Sequence, residues 1–367
     1  MKFRGKRQSL LEALTIVGSV VAPRSIKPIL QNLRLVVEPG GATLLATDLE
    51  VAIRYRVDLE EVEEGGDILL PVQRLLGIFR EADGEEVTFA SDDRAMRISC
   101  GKGSFKVLGE DPEDFPVVPS FDDEKSFVLE KDPFRLLIRK TTFATAREKT
   151  RYAFNGVRFE VEGDIARMVA TDGKRMAVKS VGIDNPQDIK AGHIIPTKGL
   201  QTFDKVLTET DDQVRINLED RQVMIRTGCA EVSSRLVEGA FPRYDAVIPK
   251  TTVLSASFEK QELLSALKQA AILTNDESRS VRLSFSDGKL VLTSRAMDVG
   301  EARVELPTEV DGDAIDVAFN PDFLVEGIKV IDAERLKISV SGKDTPARID
   351  GEEDFVYVVM PVTLRSG

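Results

Sequence analysis

Two aspartates are the first candidates for chemistry, because each places a carboxylate directly after an apolar run. Asp48 follows Leu44-Leu45-Ala46-Thr47, and Asp172 follows Met168-Val169-Ala170-Thr171. Two carboxylates that share a site can act as general acid and general base. These two occupy equivalent positions of an internal repeat, however, so we expect them to lie far apart. Asp172-Gly173 is better interpreted as a turn, because glycine tolerates positive φ and aspartate bonds its own backbone.

Metal and nucleophilic chemistry find no support in the residue pattern. The single histidine, His193, begins a β-like run, and the two cysteines, Cys100 and Cys229, belong to different repeats. A metal site needs several clustered ligands, and neither a glycine-rich phosphate loop nor a Gly-x-Ser-x-Gly elbow occurs. We interpret His193 as a strand-edge residue and predict no catalytic residue, no metal and no cofactor. Unpaired cysteines suit a reducing cytoplasm.

A basic stripe is the other candidate. Lys131, Arg135 and Arg139 recur at i, i+4 and i+8 on a predicted helix, opposite its apolar stripe. The simplest interpretation is a solvated helix face. Basic residues on other predicted helices allow a second interpretation, a positive surface for a phosphate backbone with weak, sequence-independent binding. These are Lys6, Arg7, Arg74, Lys198, Lys205, Lys260 and Lys268.

The elements that carry these residues repeat three times. Thr47, Thr171 and Ser294 end similar strands at intervals of 124 and 123 residues. Pro71, Pro196 and Asn320 precede apolar helix patterns with the same period, and Arg34, Arg158 and Arg282 are again 124 apart. A repeat of this length is a domain in itself. We predict three domains, over residues 1–121, 122–251 and 252–367, with boundaries in the loops at 117–126 and 249–256.

Each repeat is predicted to contain two halves, each a helix followed by strands, which makes the fold class α+β. The first helices are expected at about 7–21, 131–145 and 259–274, and the second helices after the Pro or Asn landmarks. The second-helix pattern of Val72, Leu75, Leu76 and Phe79 is amphipathic.

Composition sets outer limits on function. Of 367 residues, 42% are hydrophobic and 31% charged, and no run of 18 apolar residues exists, so no membrane helix is predicted. The basic residues before Leu10 resemble a signal peptide in outline, but Glu12 and Pro23 argue against one. The net charge of −12 taken alone argues against nucleic acid. The acidic residues cluster in predicted loops, however, which leaves the basic helices as a separate surface.

The C-terminal run Tyr357–Leu364 allows two interpretations. The first is a final edge strand that ends before Pro361, which lacks a ladder donor. The second is an apolar Met-Pro-Val tail that forms part of a peptide groove, since methionine adapts to varied partners.

Ordered motifs along the whole chain resemble the bacterial DNA polymerase III beta subunit family. Those that carry the resemblance are Met1-Lys2-Phe3, Pro28–Leu33, Ala46–Glu50, Asn155-Gly156, Ala170–Arg175, Phe241–Tyr244, Ala270–Asn275 and Tyr357–Pro361. The resemblance implies a replication sliding clamp without catalytic activity. It also implies three clamp domains per chain in a head-to-tail dimeric ring, with helices lining the hole and sheets outside.

The resemblance also implies partners and their sites. Duplex DNA is held topologically and without sequence preference, while the polymerase III alpha subunit, the clamp loader, other polymerases and repair proteins bind through short linear motifs. The implied partner groove, between domains II and III, comprises Phe154, Thr171, Gly173, Lys174, Arg175, Met176, Pro242, Val247, Pro346, Val358, Met360, Pro361 and Val362. The implied DNA contacts are Arg24, Arg74, Arg151, Tyr152, Lys198, Arg279 and Arg282. The implied dimer contacts are Phe105, Val107, Ile272 and Leu273.

Several positions depart from the family pattern. Phe154 stands where leucine is common and narrows the groove, while Ala246 and Thr363 stand where basic residues are frequent. Gln73 replaces an arginine near DNA, and Arg282 also aligns with Arg34 and Arg158, so a structural role competes with DNA contact. Two alternatives to the clamp stay open at this stage. One is a peptide-binding scaffold that never encircles DNA, and the other is a carboxylate enzyme around Asp172.

Overall fold

The computed structural model describes residues 1–22, 26–92, 94–124, 126–146, 152–185, 188–275, 279–286 and 288–362. The first repeat contains β1 (Lys2–Lys6), α1 (Arg7–Gly18), β2 (Asn32–Glu38), β3 (Gly41–Thr47), β4 (Val51–Val57), β5 (Glu61–Glu64), β6 (Gly66–Pro71), α2 (Val72–Glu81), β7 (Glu86–Asp92), β8 (Ala95–Cys100) and β9 (Gly103–Leu108).

The second repeat contains β10 (Ser126–Glu130), α3 (Lys131–Thr141), β11 (Gly156–Glu162), β12 (Ile165–Thr171), β13 (Arg175–Gly182), β14 (Ala191–Pro196), α4 (Thr197–Val206), β15 (Gln213–Leu218), β16 (Gln222–Arg226) and β17 (Ala230–Arg235). The third contains β18 (Leu254–Glu259), α5 (Lys260–Ala271), β19 (Val281–Ser286), β20 (Lys289–Ala296), β21 (Gly300–Pro307), β22 (Glu309–Gly312), β23 (Ile315–Phe319), α6 (Pro321–Val330), β24 (Arg335–Val340), β25 (Ala347–Asp350) and β26 (Phe355–Val359).

The described residues confirm the predicted α+β repeat. Each repeat has two helices, and each helix follows a strand directly or after one residue. Arg34, Arg158 and Arg282 occupy equivalent places, each on a strand that pairs with a strand on either side. The shared register is independent evidence that one domain has been copied three times.

By its contacts the chain divides into two compact units. The first unit comprises Met1–Arg135 and Lys198–Leu236, and the second comprises Leu136–Thr197 and Val237–Gly367. Each unit therefore joins one half of the middle repeat to a complete outer repeat. The predicted domain limits are a division by sequence repeat, which this division by contacts does not test.

Two antiparallel sheets form each unit. In the first unit their strand orders are β5-β1-β7-β8-β9 and β10-β15-β16-β17-β4-β3-β2-β6. In the second unit they are β14-β11-β12-β13-β26-β25-β24-β18-β22 and β21-β20-β19-β23. The two longest sheets run across the repeats, since β17 pairs with β4 and β13 pairs with β26. Main-chain hydrogen bonds thus connect successive repeats.

The apolar helix faces are buried as their spacing predicts. Val72, Leu75, Leu76 and Phe79 of α2 are each at most 6% exposed. The helices end earlier than predicted, however: α1 at Gly18, α3 at Thr141 and α5 at Ala271. Tight turns follow them, such as the 3-10 turn at Thr142–Ala144, because hydrogen bonds from i to i+3 commonly finish a helix.

The edge-strand interpretation of the C-terminus is wrong. β26 lies inside the nine-stranded sheet, between β13 and β25, and Tyr357 is fully buried. The strand ends at Val359, before Pro361 removes a ladder donor, so the proline limits the strand without making it an edge. His193 does lie on an edge strand, β14, as predicted. No described helix is long and apolar enough to span a membrane.

Candidate functional site

The turn after β12 is built by polar side chains that bond their own backbone. Asp172 Oδ1 accepts hydrogen bonds from the amides of Lys174 (2.9 Å) and Arg175 (3.0 Å). Thr171 Oγ1 accepts from the amide of Gly173 and donates to the Arg175 carbonyl. Gly173 has φ of 85°, which favours glycine. The turn interpretation of Asp172 is therefore confirmed.

The equivalent turn after β3 has the same construction. Asp48 Oδ1 accepts from the amides of Glu50 (3.0 Å) and Val51 (2.7 Å). Leu49 holds the left-handed position, with φ of 76°. The Asp48 carboxylate also pairs with Lys198 Nζ. Both aspartates thus serve local structure, which leaves a carboxylate enzyme without support from either.

A cavity of about 120 Å³ in the second unit adjoins the Asp172 turn. Nine of the predicted groove residues line it, together with one that was not predicted, Tyr244. The predicted ones are Phe154, Thr171, Gly173, Arg175, Met176, Pro242, Val247, Val358 and Met360.

Segments distant in sequence supply these residues. Phe154 belongs to the 3-10 turn at Tyr152–Asn155, and Val358 to β26. The floor is apolar and buried, with Met176 at 3% and Val358 at 1% exposure, whereas Val247 and Met360 at the rim are 42% and 36% exposed. A buried apolar floor with an accessible rim suits the insertion of an apolar side chain from a partner.

Four predicted groove residues do not line this cavity. Lys174 is exposed, and its carbonyl accepts a 2.8 Å hydrogen bond from the amide of Met360. Pro346 and Pro361 are half-buried, and Val362 is 39% exposed with its amide bonded to the Ala318 carbonyl. Lys174 and Val362 therefore fix the course of the chain after β26.

Arg175 is a fully engaged buried cation. Its guanidinium pairs with Glu326, donates to Asp172 Oδ2 (3.1 Å) and donates to the Phe143 carbonyl (2.9 Å). It also lies 4.6 Å from the ring centroid of Phe323. A buried charge with these partners is a structural component of the cavity wall. The Arg175 guanidinium is therefore not a free cation for a ligand.

Tyr244 is the lining residue that sequence reasoning missed. Its ring packs edge-on to Phe241 with centroids 6.4 Å apart, and its hydroxyl donates to Glu160 Oε2 at 2.6 Å. Arg167 Nη1 donates to the same hydroxyl at 3.2 Å. Burial, and then the hydrogen bond to Glu160, raise the pKa of Tyr244 to about 12. The signal was present in the Phe241–Tyr244 motif, because a buried tyrosine needs a partner for its hydroxyl.

The residues predicted to contact DNA differ in how far they are exposed to solvent. Arg74, Arg279 and Arg282 are exposed. The side chain of Lys198 is 40% exposed, but it donates to the Val20 carbonyl (3.1 Å) besides its pairing with Asp48. Arg24, Arg151 and the side chain of Tyr152 lie outside the described residues.

The prediction of an exposed basic stripe on α3 is wrong for two of its three residues. Lys131 is only 8% exposed, and the Arg135 side chain is 15% exposed, where it donates to the Leu207 carbonyl and pairs with Asp204 at 3.3 Å. Only Arg139 is exposed. Residues four apart on a helix differ in direction by about 40°, so a row of such residues winds around the helix. Part of the row therefore lies on the side of α3 that packs against the protein.

The predicted dimer contacts lie beside sheet edges. Phe105 is half-buried and Val107 is 8% exposed, both on β9 at the end of the five-stranded sheet. Ile272 is 72% exposed directly after α5, followed by the half-buried Leu273. Strand β21 ends the four-stranded sheet. Each unit thus carries an open strand edge of the kind that pairs with another chain.

Models of a single family match the chain in three consecutive parts. The N-terminal domain of the DNA polymerase III beta subunit matches residues 1–119, its central domain residues 128–243, and its C-terminal domain residues 245–363. The chain therefore belongs to the DNA polymerase III beta subunit family. The resemblance found in the sequence motifs is confirmed, and the fold consists of three clamp domains.

Individual relatives agree over the full length. The beta sliding clamps of Pseudomonas aeruginosa and Vibrio cholerae are 32% and 31% identical, across 99% of this chain and 100% of each relative. The structure is similar to a DnaN sliding clamp from Pseudomonas aeruginosa bound to griselimycin, with a TM-score of 0.94, 32% identity, and coverage of 99% and 100%. It is also similar to the beta subunit of Thermotoga maritima, with a TM-score of 0.93, 25% identity and the same coverage.

Proposed function

We propose that this chain is a DNA sliding clamp, two copies of which close head to tail into a ring around duplex DNA. The observation that carries the proposal is the threefold clamp domain, shared over the full length with beta sliding clamps. The ring tethers the replicative polymerase and supplies processivity without chemistry of its own. This similarity favours a clamp over a scaffold that never encircles DNA.

Topology explains why such a protein carries a net charge of −12. A closed ring stays on DNA because it cannot dissociate sideways, so it needs little equilibrium affinity. Tight phosphate contacts would slow sliding and make it sensitive to salt. Weak contacts are therefore sufficient to guide the ring along DNA. We assign them to Arg24, Arg74, Arg151, Tyr152, Lys198, Arg279 and Arg282. Because a net negative protein gains little from electrostatic attraction to DNA, it depends on a loader.

Ring closure is supported by the two open strand edges. A head-to-tail dimer brings two different patches together twice. One patch is β9 with Phe105 and Val107, and the other is β21 with Ile272 and Leu273. Pairing of β9 with β21 of a second copy would continue both sheets and cover the exposed Ile272 side chain.

The cavity beside the Asp172 turn is proposed as the partner groove. Its apolar floor accepts an anchoring side chain. Short linear motifs of the polymerase III alpha subunit, the loader, other polymerases and repair proteins compete for it. Because the lining arginine is already engaged, apolar contact dominates recognition.

Localisation follows from the same proposal, since a replication clamp works on DNA in the cytoplasm. Cys100 and Cys229 are both free thiols, as a reducing compartment requires.

The experiment that tests the ring is retention on DNA of different topology. The clamp, labelled with a fluorophore, is loaded by its cognate loader onto a nicked circular plasmid and separated from free protein. Cutting the plasmid once should release the clamp, because a ring slides off free ends. A protein that remains bound to the linear product at the same salt concentration would overturn the topological mechanism and leave only a scaffold that binds by affinity.

A further inference from the structure

A polar cavity of about 460 Å³ opens on the eight-stranded sheet of the first unit. Its lining includes three arginines, Arg54, Arg56 and Arg226, against two carboxylates, Glu38 and Glu231. The chain as a whole is strongly acidic, so three arginines around one cavity are unusual for its composition. Neither the DNA contacts nor the partner groove use any of these residues.

A row of charges crosses three strands at the cavity. Arg54 on β4 stands opposite Glu231 on β17, which stands opposite Arg226 on β16. Arg226 donates to Glu231 Oε1 through Nε (3.1 Å) and Nη2 (2.8 Å), and to Asp123 Oδ2 through Nη1 (2.5 Å). Two carboxylates are therefore already engaged by Arg226.

Arg54 forms an ion pair with Glu231, but its Nε donor is left without a hydrogen bond. Its Nε lies 3.5 Å from Glu231 Oε2 but makes no hydrogen bond, and this nitrogen is buried. Arg56 is exposed, and its side chain forms no ion pair with any described residue. A buried guanidinium donor without a partner opposes folding, and an ion or water commonly resolves such a case.

The two arginines share one face of the sheet. Residues two apart on a strand project to the same side, so Arg54 and Arg56 lie together while Tyr55 faces the other way. Helix α1 packs against β3 and β4 of the same sheet. Thr43, opposite Arg56 on β3, adds a hydroxyl to the cavity.

One wall of the cavity is tied to the segment between the first two repeats. The Arg226 guanidinium lies 4.6 Å from the ring centroid of Phe121, and the Phe121 amide lies 3.4 Å from Glu231 Oε2 as a donor. The same charged row therefore supports both the cavity and this connecting segment. An anion in the cavity would strengthen the row by satisfying Arg54.

We propose that this cavity binds a phosphate-type oxyanion, held by Arg54 and Arg56 with the Thr43 hydroxyl as a neutral donor. Guanidinium groups match phosphate oxygens in geometry as well as charge. The cavity is larger than a single phosphate, so a diphosphate group, either free or part of a nucleotide, fits the charge and the space. Occupancy stabilises the first unit.

The test uses the full-length protein and thermal unfolding at constant ionic strength. Inorganic phosphate, pyrophosphate and a nucleoside diphosphate are each titrated, with sodium chloride as the ionic-strength control. Binding to the folded state raises the unfolding temperature with the logarithm of ligand concentration. Pyrophosphate should raise it more than phosphate. A nucleoside diphosphate that exceeds pyrophosphate would identify a nucleotide as the source of the diphosphate.

Variants connect the shift to the site. Arg54→Gln and Arg56→Gln should each weaken pyrophosphate binding by about tenfold, because each removes a charge-assisted hydrogen bond. Arg221→Gln removes an exposed arginine of the same unit outside the cavity and should bind like the parent. If Arg54→Gln does not fold, the exposed Arg56 still tests the proposal. Equal losses in Arg56→Gln and Arg221→Gln, or a shift reproduced by sodium chloride, would overturn it.

Discussion

The hydroxyl of Tyr244 donates a 2.6 Å hydrogen bond to the carboxylate of Glu160, and this bond fastens one wall of the groove to the nine-stranded sheet. Tyr244 belongs to the segment that supplies Pro242 and Val247 to the cavity, whereas Glu160 lies on β11. Arg158 and Arg167 both pair with Glu160, so two cations hold the acceptor carboxylate in position. The wall therefore depends on a polar anchor outside the apolar lining.

Removing the Tyr244 hydroxyl should loosen this wall. Tyr244→Phe keeps the ring and its packing but deletes the hydrogen bond, which should lower the free energy of unfolding by about 1 kcal/mol. Affinity for a clamp-binding peptide, measured by fluorescence anisotropy, should fall severalfold. Tyr55→Phe makes the same change in the other unit and should leave peptide affinity unaltered. Unchanged affinity in Tyr244→Phe would show that packing alone holds the wall.

The same anchor predicts a response to alkaline pH. The pKa of Tyr244 is raised to about 12, mainly by burial, so the folded state favours the neutral phenol. Its stabilising contribution is complete below the ordinary tyrosine pKa of about 10 and is lost as pH rises from there through 12. Absorbance at 295 nm should show a phenol titrating near pH 12 that is absent in Tyr244→Phe. A difference between the two proteins centred near pH 10 would contradict the buried hydrogen bond.

Peptide recognition at the groove should depend on apolar contact at its rim. Met360→Ala shortens a side chain that is 36% exposed, so folding should change little, while peptide affinity should fall by about 1–2 kcal/mol. Met297→Ala is a matched control, because Met297 is fully exposed and does not line the cavity. Both variants are titrated into a labelled polymerase-type peptide. Equal affinity in the two variants would remove Met360 from the groove.

The sequence predicted what depends on periodicity and repetition. The period of about 124 residues located the repeats, and the buried stripe of α2 followed from the spacing of Val72, Leu75, Leu76 and Phe79. The predictions failed for residues whose environment is formed by a segment distant in sequence. Tyr357 sits on an inner strand because β13 covers it, and Arg135 is engaged because Leu207 and Asp204 lie beside it. The residue types of an isolated helix or strand do not reveal such partners.

The groove shows the same limit of prediction from sequence alone. Nine of its lining residues were named from the resemblance to the family, yet the function of Arg175 there was not apparent. The structure shows its guanidinium held by Glu326, Asp172 and the Phe143 carbonyl. Spacing alone does not show that a conspicuous cation is already neutralised.

The proposed dimer contact makes a direct prediction about assembly. Ile272→Ala with Leu273→Ala removes apolar surface at both copies of the interface, because a twofold dimer uses each patch twice. The free energy of dimerisation should weaken by several kcal/mol, since each large apolar side chain that is fully buried contributes about 1.5–3 kcal/mol. Analytical ultracentrifugation should then detect monomers. Ile165→Ala, at a residue 46% exposed on β12, should remain dimeric. Dimers in the double variant at low micromolar concentration would refute this assignment.

The pairing of Lys198 with Asp48 predicts that neutralising an acid increases DNA affinity. In Asp48→Asn the amide oxygen still accepts the turn hydrogen bonds, but Lys198 loses its counter-charge and gains freedom to contact a phosphate. Short duplex DNA should bind severalfold more tightly at low salt, and the slope of log affinity against log salt should steepen by about one unit.

Asp58→Asn removes an exposed acidic group of the same unit and controls for net charge. If both variants bind DNA equally, the effect is one of total charge. Lys198→Gln combined with Asp48→Asn should return the salt slope to that of the parent, because the freed cation is then absent. A steep slope in that double variant would mean that Lys198 does not contact DNA, and Arg74, Arg279 and Arg282 would remain as the exposed candidates.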